Sequence, residues 1–306
     1  MNFTLNQLRI FVQIVEEKNI TKAAEKLFLT QPAVSIQLKN FQEQFEIPLT
    51  EVINKRIYIT DFGLEIANAA KLILNEVNEI NYKRGLYEGK LTGKLKISVV
   101  STGKYVIPFF LTDFLNENPE VELILDVSNR ESVIGNLEAN EVDFVLLTRL
   151  PNHLEIEAIE LMKNKLVMVG AKGSNTEFQS SLRNEKNKKR YIFRELGSET
   201  RQAMENYLKH EQIMAQKTLT LTSNEAVKQA VISGMGYSIV PLIGINNELV
   251  SGQLEIIKAK NLPILTTWNI VHLKQKKLSP VAKAYKNFLI NNLNQLVSKH
   301  FNSTNL

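Results

Sequence analysis

The stretch TKAAEKLFLTQPAVSIQLKNFQEQF, residues 21–45, limits the possible folds more than any other part of the chain. Ala23, Ala24 and Leu27 put small and apolar groups on one helical face, so that a second helix can approach closely. Phe28 and Leu29 make a tight turn. Thr30 stands as N-cap of the next helix, and Pro32 lies in its first turn, where a missing N–H costs nothing. Val34, Leu38, Phe41 and Phe45 then recur at steps of four, three and four, an inward apolar stripe. At about 100° per residue, Pro32, Ser35, Ile36, Lys39 and Glu43 fall on the other side. An outward Ile suits a thymine methyl, and Gln31, Ser35 and Lys39 can reach base edges and phosphates. The pattern predicts a DNA-reading helix pair with Thr30, Gln31, Pro32, Ser35, Ile36 and Lys39 as contacts. A helical hairpin inside an all-helical domain carries the same spacing.

The flanking segments extend this unit. Thr4 and Gln7 form a capping-box pair ahead of Leu8, Phe11, Val12 and Val15, which predicts a first helix over 4–17. Val52 and Ile53, a polar turn at Asn54, and Ile57 to Ile59 read as a two-stranded wing. Lys55 and Arg56 at its tip would lie by a phosphate backbone or enter a minor groove; a solvated turn with two incidental charges is an equal reading. Thr60 and Asp61 open a helix to about Tyr87, roughly 40 Å long at 1.5 Å per residue. Along it Ile66, Ala70, Ile73, Val77 and Ile80 alternate steps of four and three, a heptad seam expected to pair with a second copy.

Bulk composition contributes mainly exclusions. The chain of 306 residues can bury two or three cores, and with no Cys it has no thiol catalysis, disulfide or Cys-ligated zinc. No apolar run approaches membrane-spanning length, and the start MNFTLNQLRIF lacks signal-peptide character, so a cytoplasmic protein without a membrane partner is expected. A net charge of +5 invites a nucleic-acid reading, but residues 1–60 carry seven basic against six acidic groups. The excess lies between Lys163 and Arg194, where nine basic residues face Glu177 and Glu185. The stretch from Lys172 to Lys189 reads as a solvated surface. Attraction for phosphates depends on local placement, so the case for DNA rests on the helix pattern.

Gly85, Gly89 and Gly93 mark a boundary near Lys90. Beyond it, the strands LKISVVS, VELILDVS and VDFVLLT alternate with amphipathic helices, which implies a doubly wound parallel sheet, and a second set of strands follows (KLVMVGA, RYIFRE, TLTLTS, YSIVP, TTWNIVHL). Thr222 and Glu225 form a capping box for a helix from Asn224 to Ser233, and Ser279 with Pro280 starts a terminal helix. Ligands of such sheets sit beyond the carboxyl ends of strands, near helix N-termini. Ser101, Thr102, Thr148, Arg149, Ser198, Thr200 and Asn224 occupy such places and suit a small anionic effector, although each alone could be only a helix cap. The four histidines, His153, His210, His272 and His300, are scattered without metal-ligand spacing, and no nucleophile-elbow or phosphate-loop motif occurs. Neither catalysis, a metal nor a cofactor is expected. A small-anion solute-binding protein or a metabolite-binding α/β enzyme remain the alternatives.

Through AAEKLFLTQPAVSIQLKNFQEQF and YITDFG, the whole chain resembles the LysR-type transcriptional regulators. STGKYVIPFFL, NRESVIGNL, RELGSETRQAME and TSNEAVKQAV make it most similar to the Calvin-cycle branch. The resemblance implies an α+β multidomain protein: a winged helix-turn-helix over 1–60 and a dimerisation helix over 61–90, followed by two periplasmic-binding-protein-like α/β lobes, 91–161 with 267–306, and 162–266. It implies a ligand-responsive regulator acting as a homodimer or homotetramer on promoter palindromes, with RNA polymerase as a further partner. Two departures stand out. Phe41-Gln42 replaces the usual Leu-Glu, and Val52 falls where the wing usually carries a charge.

Overall fold

The computed structural model describes residues 2–54, 56–87, 90–181, 190–215 and 217–301. These form two compact units, Met1–Lys90 and Leu91–Leu306.

In the N-terminal unit, helices α1 (Leu5–Glu17), α2 (Ile20–Lys26) and α3 (Gln31–Gln42) precede strands β1 (Thr50–Ile53) and β2 (Arg56–Ile59) and the long helix α4 (Asp61–Tyr87). The capping box of α1 forms as its spacing requires: Thr4 Oγ1 accepts from the Gln7 N–H and the Thr4 N–H donates back to Gln7 Oε1. Asn19 caps α2 through the Lys22 N–H. Thr30 occupies the N-cap position of α3 but its side chain makes no cap bond, so the capping role expected of its hydroxyl is not realised. Val34, Leu38 and Phe41 are buried, as the apolar stripe demands. Phe41 is the hub of an aromatic group, 5.7 Å from Phe3, 5.2 Å from Phe11 and 5.2 Å from Phe45 between ring centres. Gln42 in turn accepts a hydrogen bond from Thr50 Oγ1 at 2.6 Å. The unusual Phe41-Gln42 pair thus ties the second helix to the core and to the wing.

The wing is an antiparallel hairpin pairing Thr50 with Ile59 through Ile53 with Arg56. Thr60 Oγ1 donates to the Pro48 carbonyl at 2.7 Å and accepts from the Gly63 N–H at 2.9 Å, which joins the base of the wing to the first turn of α4. The continuous seam expected along α4 needs correction at Ala70. Ala67 and Ala70 are buried in the core of the N-terminal unit, with Ile66 and Leu74 packed beside them, because α1 crosses this face. Ile73 and Ile80 remain exposed, as does Leu72, which the heptad reading left out.

The second unit runs β3 (Gly93–Val100), α5 (Ile107–Glu117), β4 (Val121–Ser128), α6 (Arg130–Glu138), β5 (Phe144–Leu147), β6 (Ile156–Ala171), α7 (Ser174–Ser181), β7 (Arg190–Arg194), α8 (Glu199–His210), β8 (Lys217–Leu221), α9 (Asn224–Ile232), β9 (Ser238–Pro241), α10 (Asn246–Val250), β10 (Leu254–Ile256), β11 (Ile264–Leu273) and α11 (Pro280–Phe301). It is a two-lobed α/β domain. The parallel arrangement expected of the first three strands forms, and later strands join the same sheet in the opposite sense. β3 is parallel to β4 and β5, but β11 is antiparallel to both β5 and β6, and β6 is antiparallel to β9 and β10. The reason is connectivity: β6 carries the chain out of the first lobe and β11 brings it back, so the returning strand must run against β5. A register shift between Trp268 and Asn269 breaks the β6–β11 ladder midway.

Three apolar cores follow. Ile97, Phe110, Phe144, Trp268 and Tyr285 belong to the first lobe's core, which α11 covers. In the second lobe Leu166 and Met168 of β6 pack on one side, and Val167 and Val169 on the other. A strand buried on both faces reads as a continuous apolar run rather than an alternating one. Ser223, not Thr222, caps α9, by accepting from the Ala226 N–H at 3.0 Å; the Thr222–Glu225 box expected there does not form. The basic stretch expected to be a solvated surface lies partly in α7 and partly, at 182–189, outside the described residues.

Candidate functional site

On α3 the outward side presents Gln31, Pro32, Ile36 and Lys39 to solvent, with Ser35 half-exposed. Ile36 is 58% exposed, a poor choice for a surface that meets only water. Gln31 Nε2 donates to Ser35 Oγ at 3.0 Å, which aligns two polar groups one turn apart. The Lys39 ammonium stands 3.7 Å from Glu43 and is well exposed, a weak pairing that a phosphate could replace. Phe28, in the turn before α3, has φ 55° and is almost fully exposed. Arg56 is exposed at the wing beside the exposed side chains of Val52, Ile53 and Tyr58. Lys55 lies outside the described residues.

The second site forms where strands end. A cleft of about 720 Å³ opens between the lobes, and Thr102, Thr148, Arg149 and Thr200 line it together with Asn164, Gln202, Asn206, Tyr207, Asn261 and Thr266. Burial pushes the Tyr207 phenol above its ordinary range, and its hydroxyl donates to the Lys260 carbonyl at 3.0 Å. Behind the cleft Ser101, Ser198 and Thr200 surround a much smaller pocket with Arg130 and Arg194. Four of the seven residues expected there, Thr102, Thr148, Arg149 and Thr200, therefore reach the main cleft. Ser101 and Ser198 meet only the smaller pocket, and Ser198 shares a 2.9 Å hydrogen bond with Thr200. Asn224 is buried and supports the others: it accepts from Arg194 and donates to Ser101 Oγ.

The groups missed in the sequence are the charged ones. Arg194, only 4% exposed, donates to both oxygens of Glu195 at 2.7 Å and to Ser101 Oγ at 3.1 Å. It ends β7, and RYIFRE was read as strand alone. Arg130 begins α6, and its Nη1 donates to the Arg149 carbonyl and to Glu199. The Asn129 cap in front of it, which accepts from the Ser132 N–H, was the available signal. Among the described residues no group of three or more His, Cys, Asp or Glu could hold a metal ion, and no helix is long and apolar enough to cross a membrane.

Comparison with known proteins decides the family. Residues 5–64 match the bacterial regulatory helix-turn-helix protein of the lysR family, and residues 88–294 match the LysR substrate binding domain. The chain belongs to the LysR family. It is a LysR-type transcriptional regulator, and the most similar relatives carry regulator names, not enzyme names. The HTH-type transcriptional activator CmpR of Synechocystis is 33% identical over 290 residues, 94% of this chain and 95% of that one. The RuBisCO operon transcriptional regulator of Allochromatium vinosum is 34% identical over 295 residues, 95% and 96% of the two chains. Among solved LysR structures, the regulatory domain of Synechocystis CcmR in complex with 2-PG superposes with a TM-score of 0.56 at 26% identity, covering 69% of this chain and all but 1% of that one, since 99% is matched. Full-length CbnR with its target DNA, 17% identical and with a TM-score of 0.61, covers 95% of this chain and 99% of its own, and shows the shared winged and two-lobed fold.

Proposed function

We propose that this LysR regulator acts in the cytoplasm as a homodimer or homotetramer on a promoter palindrome, reading bases with Gln31, Ser35, Ile36 and Lys39 and holding phosphates with Thr30, Lys39 and the wing. The exposed apolar groups Leu72, Ile73 and Ile80 of α4, with the half-buried Val77, supply the pairing surface. A two-fold dimer brings two recognition helices to half-sites about 34 Å apart or a multiple of it. The domain limits that go with this reading are a head to residue 60, a pairing helix to 90, one lobe from 91–161 with 267–306, and the other from 162–266.

The effector is a small anionic metabolite, a phosphate ester or carboxylate. One observation carries this reading: Arg149 and the Thr102, Thr148 and Thr200 hydroxyls line one interlobe cleft, and Arg130 and Arg194 line the small pocket that shares Thr102 and Thr200 with it. The CcmR domain that binds 2-PG is built on the same frame. A thermal-shift screen of phosphorylated metabolites and small carboxylates tests the effector class, since a ligand that binds only the folded form raises the melting temperature. Stabilisation by anions, absent with neutral isosteres, is expected; stabilisation by cationic or neutral compounds alone would contradict it.

A further inference from the structure

The side chain of Glu199 is held as a bound ligand would be. Glu199 opens α8 on the second lobe, yet every hydrogen bond to its carboxylate comes from the first. Oε1 accepts from Arg130 Nη1 at 2.9 Å and from the Arg149 N–H at 3.3 Å. Oε2 accepts from the Thr148 N–H at 3.2 Å and from Thr148 Oγ1 at 2.5 Å. Two donors per oxygen, one of them a guanidinium, make a cradle for a carboxylate or phosphoryl group. The carboxylate in it is only 12% exposed and Arg130 only 18%.

The consequences of this contact are chemical. A carboxylate so enclosed has exchanged its water for four protein donors, and a second anion cannot use those donors while Glu199 does. Arg194 is engaged in the same way by Glu195. Both guanidiniums facing the strand ends are therefore already neutralised by carboxylates of this chain, and the space left behind Glu199 is about 10 Å³, less than a phosphate needs. The 720 Å³ cleft in front ends at the same Thr148, Arg149 and Glu199. A ligand anion in that cleft therefore meets Glu199 together with Thr148 and Arg149, which supply its donors.

Resting on the reading of the cleft as an anion site, we infer that Glu199 is an internal stand-in for the effector's acidic group. An effector anion takes over the Thr148, Arg149 and Arg130 donors and expels Glu199. Expulsion removes four of the hydrogen bonds that tie α8 to the first lobe, so occupancy and the relation of the lobes change together. The competing carboxylate also sets the concentration at which the effector acts, because its removal leaves the donors unpaired and available.

The test is calorimetric titration of inorganic phosphate, with malonate as the carboxylate probe, into the full-length wild type, Glu199→Gln and Glu199→Ala. Glu205→Gln on the same helix is the control, since Glu205 pairs with Arg201 away from the cradle. Both Glu199 variants are expected to bind phosphate at least tenfold more tightly than wild type, and Glu205→Gln is expected to match wild type. Binding by the wild type with equal or weaker binding by both Glu199 variants would overturn the stand-in while leaving the anion site in place. Failure of every protein to bind either anion would overturn the stand-in and the anionic-effector reading together. The two Glu199 variants differ in volume, so a packing defect in one leaves the other to decide.

Discussion

A Cβ added at Gly63 would lie 2.1 Å from the carbonyl oxygen of Leu49. That carbonyl also accepts from the Thr60 N–H, and the Thr60 hydroxyl accepts from Gly63, so wing and α4 meet with no room between them. Gly63→Ala must push two backbone segments apart. Overpacking of this kind costs about 1–3 kcal/mol, and the denaturation midpoint of the N-terminal unit in urea should fall accordingly. An unchanged midpoint would show that the join is looser than the geometry says.

The pairing helix gives an opposed pair of outcomes. Ile80 is 67% exposed and Ala70 1% exposed. Ile80→Glu should leave the fold intact and shift the protein toward monomer in sedimentation experiments, because like charges would face each other across a symmetric seam. Ala70→Glu should instead unfold the head, since it buries an unpaired carboxylate against α1. Dissociation without unfolding in Ala70→Glu would restore that residue to the seam.

Tyr285 is fully buried, and burial drives its phenol far above the ordinary range. Its hydroxyl has no hydrogen-bond partner among the described residues, while its ring packs edge-on against Phe114 and Phe144. Tyr285→Phe keeps the ring contacts and removes an unsatisfied polar atom. The variant should be more stable by about 1 kcal/mol in chemical denaturation, and a loss of stability would reveal a partner for the hydroxyl.

Local chemistry made much of this legible in advance. The capping box of Thr4 and Gln7, the stripe of Val34, Leu38 and Phe41, and the hairpin from Thr50 to Ile59 each depend on residues close in sequence, and each formed. What stayed hidden depends on distance along the chain. Glu199 meets Thr148 across 51 residues and Arg130 across 69, and no spacing rule joins them. Ala70 satisfies a heptad as well as any seam residue, but a helix face does not announce whether α1 or a second copy covers it. The antiparallel course of β11 follows from the chain's return between lobes, whereas apolar runs alternating with helices carry no strand direction.

The exposed side of α3 carries the central claim, and Lys39 and Ser35 divide it into two kinds of contact. Lys39→Ala should weaken binding across all sequences and reduce the slope of log affinity against log salt by about one. Ser35→Arg should abolish discrimination between the palindrome and scrambled DNA by placing a bulky charge on the base-reading face.

Footprinting of the region upstream of the protein's own gene, with wild type and Ser35→Arg side by side, tests that claim most directly. The account predicts a protected palindrome whose half-sites lie whole helical turns apart for wild type, lost in Ser35→Arg. Equal protection by both proteins, or no symmetric protection by either, would contradict it.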